Sequence, residues 1–267
     1  MEHLIIKEVI MKTINAMRQR LNILLIVALA IMIYSCSSDD DGYSIGDIGV
    51  GYVTVQAEPE NPFSLIFDRG FSGLPVASDQ PWYKPVQGQR AFVIFNPLWD
   101  NYQGYDLALK INRIRDVLTK KVEILTAENE SEFGDDPVRI NKGDIWISNG
   151  YLTLIQTIKS PKKHKHRLSL VSNTLEEQAK DGFMHLEYRY NTYGDSIGVP
   201  AMADVSFYLK DFEGYEAAKG IKLRIKSAYN GEKELEIPFS KEGEKGPSEA
   251  SLKKVDSGTF DGTTRVK

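Results

Sequence analysis

The chain has one cysteine in 267 residues, Cys36, so no internal disulfide can form. It also lacks a Gly-x-Ser-x-Gly elbow and a His-Glu-x-x-His helix, and Gly46-Asp47-Ile48-Gly49-Val50-Gly51 has the wrong glycine spacing for a phosphate loop. Hydrolysis by the familiar motif-bearing routes therefore lacks its parts, and the expectation is no catalytic residue, no cofactor and no bound metal. Basic residues are not in excess: the formal charge is −4, which gives no general attraction to nucleic acid or to anionic lipid. No fixed-period repeat is present.

What the sequence does have is one long apolar run. Lys12, Arg18 and Arg20 precede Leu21–Ile33, and Tyr34-Ser35-Cys36 ends the segment, the layout of a secretory signal. From Leu21 to Ser35 is 15 residues. As a helix that is roughly 22 Å, short of a hydrocarbon core about 30 Å thick. Nothing basic follows to stop transfer. Met11-Lys12-Thr13 is a more usual basic start than Met1-Glu2-His3. Ile33-Tyr34-Ser35-Cys36 resembles the lipobox of bacterial lipoproteins, with Tyr34 bulkier than the pattern, which makes Cys36 the expected lipidation site. The following Ser37, Ser38, Asp39, Asp40 and Asp41 resemble the surface-export signal of Bacteroidetes lipoproteins. Removing residues 1–35 leaves 29 basic and 35 acidic residues, so the acyl chains, not charge, would hold the protein at an outer membrane.

Beyond residue 46 the apolar pattern has period two, the signature of strands. Met184, Leu186, Tyr188 and Tyr190 share one face, and His185, Glu187 and Arg189 the other. Ile221–Lys226 repeats the alternation. Tyr105, Leu107, Leu109 and Ile111 alternate cleanly before the phase slips to Ile114, as a β-bulge would cause. Further strands are expected near 48–56, 64–67, 91–95, 145–147, 151–158, 166–171, 203–209 and 234–239. Asn173–Lys180 begins with a capable N-cap and good helix formers, and predicts a short helix. Turn formers and charge cluster at Asn129–Gly143 and predict the domain boundary. The expected layout is a signal peptide at 1–35, an acidic tether at 36–46, one β domain at 47–133, a second at 134–240 and a polar tail at 241–267.

Five stretches together resemble the NigD-like family of Bacteroidales lipoproteins: Asp47–Val55, Gly88–Val93, Asp135–Ile140, Asp144–Leu152 and Asp181–Asp195. The resemblance implies an all-β protein, with an N-terminal OB-like β-barrel followed by a C-terminal β-sandwich. It also carries a suggested part in bacteriocin immunity. It transfers no functional residue, because the family has no established motif to match.

The residues offer several candidate chemistries. OB-like barrels present aromatic and basic residues to oligosaccharides or oligonucleotides, so Trp82, Tyr83, Trp99 and Tyr102 are candidates for stacking, with Arg113 and Arg115 supplying charge. For an exported acidic protein, sugar is the better expectation than nucleic acid. His164-Lys165-His166 has two imidazoles, but the surrounding Lys162, Lys163 and Arg167 oppose a bound cation and predict a solvated basic turn. His185 and Glu187 on one face predict an outward pair that aids solubility. Asp195-Ser196-Ile197 matches a short O-glycosylation sequon of exported Bacteroidetes proteins, making Ser196 the expected acceptor. The function expected from all this is a noncatalytic, lipid-anchored protein of the outer membrane, on the cell surface, whose partner is an envelope component or a protein. The alternatives are a surface glycan-binding module and an envelope-polymer hydrolase.

Overall fold

The computed structural model describes residues 42–44, 46–57 and 63–239. Cys36, Ser37, Ser38, Asp39, Asp40 and Asp41, and the 241–267 tail, lie outside the described residues. Strands β1 (Gly49–Gln56), β2 (Ser64–Phe67), β3 (Ser72–Ser78), β4 (Arg90–Tyr102) and β5 (Tyr105–Asp116) close a barrel in the order β1-β2-β3-β5-β4. All its pairings are antiparallel except β3 with β5. The bulge lies where the apolar phase slips: Ile94 faces Arg113 while Phe95 faces Ile111, leaving Asn112 as the extra residue. Val53, Val55, Leu65, Phe67, Val93 and Leu109 fill the interior. At the start of β1, Gly49 lies under the Phe95 ring; a Cβ there would fall 2.4 Å from it.

A sandwich follows the barrel. One sheet has the order β6-β12-β9-β8, from Leu118–Lys121, Pro200–Tyr208, Tyr151–Lys159 and Ile145–Ser148. The other has the order β14-β13-β11-β10-β7, from Gly231–Pro238, Gly220–Ser227, Met184–Asn191, Arg167–Asn173 and Glu123–Leu125. Leu152, Leu154, Val205 and Phe207 from the first sheet meet Leu170, Leu186, Leu223 and Ile225 from the second in one apolar cluster. Burying a side chain of this size stabilises by about 1.5–3 kcal/mol.

Three sequence expectations need correction. The boundary does not fall at residues 129–143. β6 and β7 precede that segment, yet each pairs in parallel with a sandwich strand, β12 and β10, so the chain leaves the barrel at Val117. Val122 alone separates β6 from β7, and across it the chain steps from one sheet to the other. The turn-forming segment instead carries α1 (Glu130–Phe133), whose Phe133 is buried under the Arg167 guanidinium at 4.5 Å. No helix forms at Asn173–Lys180. That stretch has a single large apolar residue, Leu175, and so no stripe to bury. It runs as an irregular strap, with Asn173 Oδ1 accepting from Leu175 N–H and Glu176 paired to Arg224 at 2.8 Å. The third correction concerns His164-Lys165-His166. His164 is exposed, but His166 is fully buried, its Nδ1 2.6 Å from the Tyr190 hydroxyl and its Nε2 2.8 Å from the Asp195 carbonyl. The lysines lie on the turn before it, whose backbone N–H groups at 162, 163 and 164 all donate to Asp195 Oδ2, while Arg167 opens β10 after it.

Candidate functional site

β9 is buried at every position from Tyr151 to Gln156, which a two-sided strand requires. Leu152 and Leu154 face the sandwich core, while Thr153 and Ile155 face the barrel. β1 is its counterpart: Val53 and Val55 point into the barrel, and Tyr52 and Thr54 point at the sandwich. Tyr52, Phe92, Trp146 and Ile155 form an apolar seam between the domains, with Trp146 edge-on to Tyr52 at 5.1 Å.

Two ion pairs flank the seam. Arg90 has no solvent exposure; its Nη1 and Nη2 reach both oxygens of Asp68 at 2.7 and 2.5 Å, and Nη1 also donates to Thr54 Oγ1 at 2.9 Å. Trp146 Nε1 and Asn149 Nδ2 donate to the same carboxylate at 2.8 and 3.3 Å. Asp68 and Arg90 belong to the barrel and Trp146 and Asn149 to the sandwich, so one carboxylate is shared across the junction. On the second side, Arg115 forks onto Asp204 at 2.9 and 2.5 Å, and the Tyr52 hydroxyl donates to Asp204 Oδ2 at 2.9 Å. Burial first, then the Asp204 charge, raises the Tyr52 hydroxyl well above its ordinary value, so it stays a proton donor.

Where the barrel rim meets β6, the β8–β9 turn and the end of β12, the junction opens into a cleft of about 550 Å³. Its back wall is Tyr151, whose ring has the Arg90 guanidinium at 5.2 Å and Tyr208 at 4.9 Å, and whose hydroxyl donates to the Gly88 carbonyl at 2.7 Å. Gln56, Asn149 and Lys210 line the remainder, with Lys121 paired to Asp211 at 2.5 Å.

The aromatic candidates are not brought together. Trp82 and Trp99 are 70% and 56% exposed, but Trp99 lies opposite Ala108 near the tip of the β4–β5 hairpin. Beside Trp82, Tyr83 bonds to Asp116 at the other end of β5, eight residues away and roughly 26 Å along the strand. Tyr83 packs its ring on Phe63 and is half-buried, closing the barrel end. Tyr102 stays with Trp99, ring to ring at 5.8 Å. Arg115 is committed to Asp204. Ser196 is exposed on the β11–β12 loop.

His185 and Glu187 do share a face, but Glu187 is only 5% exposed, and the outward solubilising pair is corrected. The 174–180 strap and the arginines beside it cover that carboxylate. Burial opposes its charge, but the Asn173 amide at 2.9 Å and the Arg189 and Arg224 guanidiniums outweigh burial and hold the carboxyl below its ordinary range. Asp181 is lowered as well, by Lys222 at 2.6 Å and then His185 at 3.0 Å. Both groups bind protons more weakly folded than unfolded. Their contribution is therefore present above about pH 4 and is lost as pH falls through their folded values. Glu187→Gln is expected to be less stable than wild type at neutral pH, with the gap narrowing below about pH 4 in urea titrations. A gap independent of pH would show that the charge of Glu187 is not what matters.

Sequence reasoning missed Arg90, Asp68, Asp204, Tyr208 and Lys210. The one signal was Arg90 opening an apolar strand, Arg90-Ala91-Phe92-Val93, where a charge is out of place. Among the described residues, no group of three or more His, Cys, Asp or Glu could hold a metal.

Several solved structures share this architecture. A protein of unknown function from Bacteroides vulgatus is 28% identical over 77% of this chain and 98% of its own, with a TM-score of 0.68. A protein from Parabacteroides distasonis designated toxin-related is 27% identical over 73% of this chain and 95% of its own, with a TM-score of 0.62. A NigD-like immunity protein from Bacteroides caccae is 18% identical over 77% of this chain and 100% of its own, with a TM-score of 0.55, a likeness of fold alone. Among curated proteins none matches. The family model for the NigD-like N-terminal OB domain matches residues 52–117, and that for the NigD-like C-terminal beta sandwich domain matches residues 121–239. With both domains matched in order, and the barrel and sandwich built as those descriptions require, the chain belongs to the NigD-like family.

Proposed function

We propose that this protein is a lipid-anchored, noncatalytic component of the outer membrane that binds an envelope component or a protein partner at the cell surface, in bacteriocin immunity or a related defence. The observation that carries the reading is the position of the chain's only cysteine, immediately after the apolar run and immediately before Ser37-Ser38-Asp39-Asp40-Asp41. The neighbour designated toxin-related supports the defence part. The noncatalytic part is supported by the buried carboxylates. Asp68 is taken up by Arg90, Trp146 and Asn149, and Glu187, despite its burial, is held below its ordinary range by Asn173, Arg189 and Arg224, whereas a general acid needs its proton retained near neutral pH.

Protease treatment of intact cells tests the location. Proteinase K is expected to remove wild-type protein from the cell surface and to spare a variant with Asp39, Asp40 and Asp41 changed to alanine, with a periplasmic control intact in both. Protection of wild type would place it in the periplasm and overturn surface display.

A glycan-binding module is the second reading. The aromatic side chains expected to form its platform lie apart, and the observation that favours it is the junction cleft instead.

A further inference from the structure

We propose that the cleft between barrel and sandwich binds a saccharide of one or two rings that carries a carboxylate. The inference rests on the noncatalytic binding reading and gives it a place and a ligand class.

Volume comes first: about 550 Å³ falls within the range of small-molecule sites, and the cleft lies at a domain junction, where such sites concentrate. The polar inventory comes next. Lys120 is spent, its ammonium donating to Glu123 at 2.8 Å and to the Leu168 carbonyl at 2.8 Å. Lys121 is neutralised by Asp211. Lys210 has no acceptor among the described residues, and its stem lies over Gly150, whose φ of +81° a side chain would strain and where a Cβ would fall 2.5 Å from the lysine Cε. One exposed, unpartnered ammonium at the cleft defines a place for one anionic group.

The rest of the lining is uncharged and mixed in sense. Gln56 Oε1 accepts from Gln87, which leaves the Gln56 amide N–H groups to donate. Asn149 Nδ2 gives one N–H to Asp68, and Asn149 Oδ1 is left to accept. The Tyr208 hydroxyl can do either. A mixture of donors and acceptors beside an aromatic wall suits neighbouring hydroxyls on a ring, each of which both donates and accepts. A phosphate or a run of acidic side chains, being acceptors only, would leave Asn149 Oδ1 unmatched.

The Tyr151 wall is rigid. Arg90 backs it, Tyr208 flanks it and Gly88 holds its hydroxyl. A preformed wall avoids the ordering cost that a flexible surface aromatic such as Trp82 would incur on binding.

The test uses the full mature lipoprotein in detergent, titrated by ligand-detected NMR with digalacturonate, its uncharged methyl ester and hexaglutamate. Wild type is expected to bind the acid about tenfold more tightly than the ester, a difference of one anionic contact. Lys210→Gln is expected to abolish that preference while retaining the ester, and Tyr208→Leu to weaken both. Thermal unfolding of each variant confirms folding, and Lys210→Gln changes only an exposed charge. Absence of binding to acid and ester, equal affinity for the two in wild type, or an acid preference that survives Lys210→Gln would overturn the proposal. So would hexaglutamate binding in place of the sugar, which would make the occupant an acidic protein segment. Appearance of monomer signals during the titration would sink the noncatalytic reading while supporting the site; absence of binding would sink the site and leave the anchoring reading standing.

Discussion

Asp68→Ala is expected to cost about 3–5 kcal/mol of stability, because it leaves a fully buried guanidinium without its counter-charge. Arg90 would keep only neutral partners: the hydroxyl of Thr54 at 2.9 Å and the more distant Thr153 and Ser206. Trp146 Nε1 and Asn149 Nδ2 would lose their acceptor as well, and each is a sandwich group reaching into the barrel. The loss is therefore concentrated at the junction. In urea, wild type is expected to unfold in one transition, and the variant to show an earlier loss of the barrel–sandwich contact, seen as a split or shallower curve.

A compensating variant separates the unpaired charge from lost packing. Asp68→Ala combined with Arg90→Met removes both charges and fills part of the space, and should recover much of the loss, since replacing a buried pair by apolar groups is often near neutral. If the single variant lost under about 1 kcal/mol, water would have to be reaching Arg90, contrary to its burial. If the double variant were no better than the single, the cost would lie in lost packing and not in the unpaired charge.

The sequence disclosed what local alternation can disclose. Met184 to Tyr190 repeats polar and apolar residues because one side of β11 faces the core. The slip at Asn112 is visible because a bulge must shift that phase by one. What it withheld depends on partners far along the chain. β6 and β7 are four and three residues long, and only the pairing of Leu118 with Val205 and of Glu123 with Val171 makes them strands of different sheets. Glu187 reads as a surface acid because alternation puts it opposite the core; the strap that covers it is irregular and has no period to detect. His166 follows four solvated residues, and its burial depends on Tyr190 and Asp195, which approach from another strand and loop. Lys210 resembles any lysine at a strand end. Only Gly150, brought beneath its stem by the β8–β9 turn, and Tyr208 beside it make it part of a site.

Replacing Cys36 by serine is expected to move the protein from the membrane fraction to the soluble one almost completely, if Cys36 carries the acyl chains as proposed. Each buried CH₂ contributes about 0.8 kcal/mol, and one chain of myristoyl length binds only marginally, so stable retention needs more than one chain. With 29 basic and 35 acidic residues after position 35, charge pushes it from an anionic surface. Among the described residues no helix is long and apolar enough to cross a membrane. Fractionation of wild type and Cys36→Ser, with intact-mass measurement of both, would decide the matter. The expected wild-type mass is that of a chain beginning at Cys36 with added acyl groups, together with hexose increments if Ser196 is glycosylated in its native host. A Cys36→Ser variant that stayed in the membrane fraction with residues 1–35 removed, or a wild-type mass without added acyl groups, would overturn lipid anchoring at this residue; a variant retained with residues 1–35 still attached would be held by its uncleaved apolar run, which the mass identifies.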